Sequence, residues 1–167
     1  MKHTAAPAFG VYVHWPFCVS KCPYCDFNSH VRETVDQDRW RAALLAEIRA
    51  WADRVPKQTV DTIFLGGGTP SLMPPATVAA VLAQIDDSFG LAPDAEITLE
   101  ANPSSIEVGR FRDFRSAGVN RVSLGVQSFD DRALGFLGRA HDAEAAQRGI
   151  AVAASTFDRF SFDLIYA

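Results

Sequence analysis

The sequence predicts an α/β fold built on a parallel sheet. Three observations carry that reading. Apolar stretches of strand character alternate with stretches of helical periodicity along the 167 residues, at about the 30-residue repeat of a βαβ unit. No tract of low complexity interrupts the alternation, and strand–helix–strand order of this kind gives parallel strands joined by right-handed crossovers. The residues of unusual chemistry fall at or just after the strand ends. That is the rim where parallel sheets carry their sites, whether they close into a barrel or stay open and doubly wound.

The elements follow in order. Phe9 to His14 alternates and is rich in β-formers, so it reads as a strand, and a loop holding every cysteine comes next. Thr34 and Gln37 have capping-box spacing ahead of a helix from about Asp36 to Asp53. Trp40, Leu44, Ile48 and Trp51 share one face of that helix and read as core. Val60 to Leu65 is a second strand, with Gly66-Gly67-Gly68-Thr69-Pro70 directly after it. Pro74 and Pro75 open a helix to about Phe89, proline sitting at the first turn where its missing N–H costs nothing. Glu96 to Glu100 is a third strand. Ser104 and Glu107 again have capping-box spacing, and their helix stops near Gly118. Asn120 to Leu124 is a fourth strand, followed by Gly125-Val126-Gln127-Ser128. Asp130 caps a short helix, Asp142 caps an Ala-rich one through Ala154, and Phe160 to Ile165 is a fifth strand. The cysteine loop, the glycine loop, Glu100, Gln127 and Asp163 therefore share one rim.

Cys18, Cys22 and Cys25 are the only three cysteines. Three thiolates in one short loop can hold three irons of a cubane iron–sulfur cluster, leaving the fourth iron open to a substrate or cofactor. Pro16 and Pro23 stiffen the loop, and Phe17, Tyr24 and Phe27 can shield a cluster from water. The competing reading is structural zinc, for which His14 or His30 would have to supply the fourth ligand, since no second Cys pair or His pair exists. An odd cysteine count and no mark of secretion disfavour a disulfide. The glycine loop either brings backbone close to a ligand or turns tightly from strand to helix. It is not a P-loop, because no GK[ST] follows. Glu100, in ITLEANP, is a helix-cap partner or a ligand group. On residue type alone Arg139 is a solvated charge, Tyr12 a strand aromatic, and His14 and His141 structural or surface groups.

A chain of this length suits one domain, and an apolar fraction of 48% is ordinary for a globular protein. A net charge of −4 with dispersed basic residues argues against a nucleic-acid partner. The start, MKHTAAPAFG, lacks a signal-peptide core, and no apolar run approaches the roughly 20 residues of a membrane helix. A soluble, cytoplasmic protein is expected, in a compartment reducing enough for an exposed cluster.

CxxxCxxC with an aromatic residue, Tyr24, just before the last cysteine resembles the signature of the radical S-adenosylmethionine superfamily. The wider stretch YVHWPFCVSKCPYCDFNS is similar to the branch containing oxygen-independent coproporphyrinogen III oxidases and heme chaperones. The resemblance runs from about residue 9 to the last residue. It implies an α/β fold of a particular kind: a partial (βα)6-type radical SAM barrel with parallel strands, incomplete at the C-terminus. Residues 1–167 would be one truncated core domain with about five of the six βα units.

The resemblance also implies a [4Fe–4S] cluster on Cys18, Cys22 and Cys25. S-adenosylmethionine would be held by Tyr12, Tyr24, the glycine motif Gly67-Gly68-Thr69, Glu100, Gln127, Arg139 and Asp163. Many superfamily members end the glycine motif in Glu, whereas this sequence has Gly68-Thr69, as the oxidase branch does. Glu100 matches a residue that hydrogen-bonds the cofactor. Arg139 matches the arginine that pairs with the methionyl carboxylate, a role suited to a guanidinium fork. The implied chemistry is one-electron reductive cleavage of S-adenosylmethionine to methionine and a 5′-deoxyadenosyl radical. Oxidases of this branch carry a further cysteine two residues after the third, where this chain has Phe27. That departure favours a chaperone that binds heme and delivers it to apo-proteins over an oxidase that decarboxylates coproporphyrinogen III. An electron donor such as flavodoxin or ferredoxin is implied as well. The third class, an iron–sulfur carrier or zinc module, would not interact with S-adenosylmethionine.

Overall fold

A computed structural model describes residues 8–166, so the reading of the extreme N-terminus lies outside the described residues. The chain enters through β1 (Gly10–Trp15), and two short strands, β2 (Phe17–Cys18) and β3 (His30–Val31), pair in parallel on either side of the cysteine loop. Next come α1 (Gln37–Ala52), β4 (Val60–Gly67), a 3-10 turn over Pro70–Leu72, and α2 (Pro75–Phe89). β5 (Leu91–Ala101), α3 (Ser105–Val108), α4 (Phe111–Ser116) and β6 (Arg121–Gln127) follow. The last elements are α5 (Asp131–Phe136), α6 (Ala143–Thr156) and β7 (Arg159–Leu164).

The main sheet runs β1-β4-β5-β6-β7, with every neighbouring pair parallel. Chain order and spatial order coincide. A doubly wound sheet reverses direction at a switch point, and this one does not, so the barrel alternative is the one realised. With right-handed crossovers the helices lie on one face. That face carries a row of paired apolar residues: Val13 opposite Leu65, Leu65 opposite Leu99, and Leu99 opposite Val122. All are buried, together with Val78, Val81 and Ile85 of α2 and Phe111 and Phe114 of α4. Each such side chain contributes about 1.5–3 kcal/mol by leaving water.

The opposite face is polar. Tyr12, His14, Thr98, Glu100, Arg121, Ser123, Ser161 and Asp163 alternate with the core residues. Arg121 spans this face, donating to Thr98 Oγ1 at 3.1 Å and to Ser161 Oγ at 2.7 Å. Arg159 pairs with Glu96 at 3.0 Å. Among the described residues no helix is long and apolar enough to cross a membrane.

Four local expectations need correction. α1 is capped by Asp36, whose Oδ1 accepts from the Arg39 N–H at 3.0 Å, while Gln37 is already the first helical residue. Trp51 is 49% exposed and donates from Nε1 to Glu47, so it is not core. The third strand starts at Leu91 because the register against β4 breaks between Val60 and Thr62, which accommodates Pro93 and Asp94. The helix expected up to Gly118 is two. Arg110 sits at the break and donates to Ser71 O at 3.0 Å and Met73 O at 2.5 Å, while Phe111 and Phe114 turn into the core.

Candidate functional site

The cysteine loop hangs from a rigid mount. Trp15, Phe17 and Trp40 pack edge to face, with ring centroids 5.0–5.9 Å apart. The glycine loop is tied backbone to backbone to the same segment: Gly68 N–H donates to Trp15 O at 2.7 Å and Thr69 N–H to Phe17 O at 2.8 Å. A Cβ on Gly68 would stand 2.7 Å from Phe17 O and 2.9 Å from Phe17 C. Gly67 has φ +115°, and a Cβ there would meet the His14 ring at 2.7 Å. Both glycines are thus required by the packing of the cysteine strand against the β4 end, and the tight-turn reading of the motif has real content. From Cys18 the chain crosses the exposed residues Val19, Ser20 and Lys21, turns through a Cys25 N–H to Cys22 O bond of 3.0 Å, and returns where His30 N–H donates to Pro16 O at 2.7 Å.

All three cysteines are free and half-buried. They line a cavity of about 290 Å³ together with Tyr24, Gly68, Thr69, Glu100, Gln127, Arg139 and Asp163. Ten of the twelve residues singled out in the sequence meet there. Gly67 and Tyr12 stand behind it. Gly67 N–H donates to Glu100 Oε2 at 3.1 Å. Tyr12 stacks on Phe64 at 6.1 Å and bonds through its hydroxyl to His14 Nδ1 at 3.2 Å.

Glu100 is held above the usual carboxylate range, chiefly by burial, with the charge of Asp163 adding to the effect; the Gly67 N–H and His14 oppose it. Gln127 has φ +69°, in the left-handed region that side chains other than glycine rarely enter. It sits where the register of β6 against β7 shifts between Gly125 and Gln127. Residues held in such regions cluster at active sites and ligand clamps.

Arg139 is not the solvated charge its residue type alone suggests. Its Nη2 donates to Asn102 Oδ1 at 2.5 Å and to Gly125 O at 2.6 Å; its Nη1 donates to Cys22 Sγ at 3.4 Å and Tyr24 Oη at 3.3 Å. Its Nε–H is buried with no partner. Asn102 and His141 also line the cavity. His141 donates from Nε2 to Val126 O at 3.0 Å, and burial lowers its pKa. Asn102 directly follows the Glu100-Ala101 strand end, a position that the rim rule could have flagged. His141 had no such signal.

The groups implied by the sequence resemblance fit these residues. A mononuclear ion needs ligands converging on one point, and among the described residues no three His, Cys, Asp or Glu side chains are so grouped. His14 Nε2 is also engaged with Asn28 O at 2.9 Å. A cubane takes each thiolate on a different iron and needs no such single point, and all three cysteines line the one cavity. The orphaned Nε–H of Arg139 offers a donor to an anionic group in the cavity. Its four terminal N–H groups are already engaged within the protein, which leaves Nε–H as the guanidinium's unpartnered donor.

Comparison with known proteins agrees with this architecture. The sequence model described as the radical SAM superfamily matches residues 12–167. The mouse protein named "Radical S-adenosyl methionine domain-containing protein 1, mitochondrial" is 44% identical over 97% of this chain and 37% of its own length. The Escherichia coli "Heme chaperone HemW" is 43% identical over 96% of this chain and 43% of its own. The chain thus spans less than half the length of these relatives. The solved Escherichia coli coproporphyrinogen III oxidase HemN, described as a radical SAM enzyme, superposes with a TM-score of 0.85 at 31% identity, over 95% of this chain and 37% of that one. A family match over nearly the whole chain, on a parallel sheet whose rim gathers the three cysteines, makes this chain a member of the radical SAM superfamily.

Proposed function

We propose that this chain is the cluster- and S-adenosylmethionine-binding core of a heme chaperone, a protein that binds heme and hands it to acceptor proteins. The observation that carries this over the oxidase is Phe27. It stands two residues past Cys25, lines the cavity, and is 57% exposed. A phenyl ring there offers no sulfur to cluster or substrate and presents an apolar surface at the cavity mouth. The heme-chaperone names of relatives above 40% identity support the same choice.

In this reading residues 1–167 act as one core unit. Cys18, Cys22 and Cys25 hold a [4Fe–4S] cluster, and S-adenosylmethionine lies along Gly68, Thr69, Glu100, Gln127, Arg139 and Asp163, with Tyr24 as a wall and Tyr12 and Gly67 behind. When bound, these groups supply reductive C–S bond cleavage. Arg139 supplies a buried cationic donor, Nε–H. Glu100 offers its carboxyl oxygens to hydrogen-bond donors, one of them already accepting from Gly67 N–H. Tyr24 and Phe27 keep water off the thiolates. The partners are heme or a porphyrinogen, heme-accepting apo-proteins, and an electron donor such as flavodoxin or ferredoxin, in the cytoplasm.

The test uses a longer protein that includes this chain, reconstituted anaerobically. It is titrated with heme and assayed in parallel with coproporphyrinogen III. Tight heme binding, transfer to an apo-acceptor and no decarboxylation are expected, with loss of the brown cluster in Cys18→Ala, Cys22→Ala or Cys25→Ala. Steady formation of protoporphyrinogen would instead establish the oxidase, to which the HemN superposition points.

A further inference from the structure

Asn102 belongs to neither the cysteine signature nor the glycine motif, yet it sits between them. Its side chain faces Arg139 Nη2 at 2.5 Å on one side and Thr69 Oγ1 at 3.4 Å on the other. Beyond those two lie sulfurs. Arg139 Nη1 donates to Cys22 Sγ at 3.4 Å, and Thr69 Oγ1 donates to Cys18 Sγ at 3.6 Å. One amide thus links two of the three cysteines through two intermediaries.

The direction of every proton in this chain is fixed by one fact: a guanidinium cannot accept. The Asn102 atom facing Arg139 must therefore be the oxygen, which leaves the NH2 group facing Thr69. Thr69 Oγ1 must accept from it. The only hydroxyl proton Thr69 has is then directed away from Asn102, onto Cys18 Sγ. Both cysteines receive donors, and neither donor can be turned round while Asn102 holds its place.

Asn102 is itself immobilised. Its backbone N–H donates to Glu107 Oε2 at 2.8 Å. Glu107 is a carboxylate only 4% exposed that also accepts from Ser71 Oγ and from Ser104 Oγ at 3.1 Å. Glu107 N–H donates to Ser104 Oγ at 3.4 Å, so half of the expected capping box forms. The other half is redirected, and the glutamate secures Asn102 instead. On the next residue, Pro103, Gly149 packs so closely that a Cβ would meet Pro103 Cβ at 2.8 Å.

We propose that Asn102 is a positioning residue that sets the reduction potential of the cluster by holding Thr69 and Arg139 as hydrogen-bond donors to Cys18 and Cys22. This rests on the reading that those cysteines hold a [4Fe–4S] cluster. Donors to the sulfurs stabilise the more negative, reduced state and so raise the potential. Removing the amide frees both donors and lowers it.

The experiment is a redox titration of the reconstituted chain, followed by the electron paramagnetic resonance signal of the reduced cluster, for wild type, Asn102→Ala, Thr69→Val and the double variant. Iron and sulfide content are measured alongside. The expected result is a midpoint more negative in each single variant at full cluster content, and a double-variant shift smaller than the sum of the two, because both act through Cys18. Asn102→Asp keeps an acceptor for Arg139 but competes with Cys18 for the Thr69 proton, and it should also shift negative; it serves if Asn102→Ala does not fold. An unchanged midpoint at full cluster content overturns the proposal, as does strict additivity. If wild type itself takes up no cluster, the cluster reading fails first and takes this one with it, a result distinct from a normal cluster with an indifferent Asn102.

Discussion

Replacing Gly68 by alanine isolates what the glycine motif does for the protein rather than for a ligand. The new Cβ would lie 2.7 Å from Phe17 O, 2.9 Å from Phe17 C and 3.0 Å from Phe17 N. All three are backbone atoms, so no rotamer change relieves the overlap. The strands must part, and overpacking of this kind costs about 1–3 kcal/mol. Parting them also stretches the Gly68 N–H to Trp15 O and Thr69 N–H to Phe17 O bonds, each contributing about 1 kcal/mol. The total is about 3–5 kcal/mol, equivalent to a Tm roughly 6–20 °C lower for a domain of this size. Thermal and urea unfolding of the cluster-free chain, followed by circular dichroism, measures it. Because Phe17 directly precedes Cys18, iron uptake should fall as well. A Gly68→Ala protein as stable as wild type would refute the steric account and return the glycine to a purely ligand-facing role.

Two further outcomes follow from the site. Arg139→Ala should weaken S-adenosylmethionine binding by about 1.5–3 kcal/mol, the scale of a hydrogen bond to a charged group; anaerobic calorimetry reads it, and unchanged affinity removes Arg139 from the ligand's contacts. Glu100→Gln should stabilise the cluster-free protein at neutral pH. The folded pKa of Glu100 lies above the ordinary carboxylate value, chiefly because burial disfavours its charge, so the folded state holds the proton more tightly and wild-type stability declines as pH rises through the raised value. The glutamine variant, which still accepts from Gly67 N–H, should therefore match wild type at acid pH and pull ahead towards pH 8 in urea melts; a gain that vanishes on going alkaline would reverse the assigned sign.

Much of the fold was legible because parallel strands buried against helices announce themselves. Val60–Leu65 and Asn120–Leu124 are short β-rich runs, and Asp130 and Asp142 do cap α5 and α6 through the Ala133 and Ala145 N–H groups. Where the reading failed, a tertiary contact outweighed a local rule. Thr34 and Gln37 had capping-box spacing, but Asp36 could reach the Arg39 N–H directly. The stretch after Ser104 had helical composition, but Arg110 found two carbonyls in the loop following β4 and the helix broke there. The rim of the site was predictable from strand ends alone, since topology puts those residues together. Arg139 could be placed in the site only by family resemblance, because no spacing rule links a residue beyond α5 to a cysteine loop over a hundred positions earlier. The role of Asn102 was invisible to both, as it depends on which of its side-chain atoms faces a guanidinium.

The two ends of the cysteine loop are fastened by main-chain bonds that need no metal: Phe17 to Thr69 at the start and His30 to Pro16 at the return. Folding of the sheet has therefore already closed the loop and met its entropy of closure, which grows only slowly with length in any case. Between those ends Val19, Ser20 and Lys21 are exposed, while Cys22 and Cys25 are half-buried. At about 1–2 kcal/mol per residue fixed, a loop free at both ends would oppose metal capture far more strongly than one strung between two anchored strands. The small parallel pair of β2 and β3 thus acts as a hem, and it makes the affinity of the site a property of the sheet as much as of the thiolates.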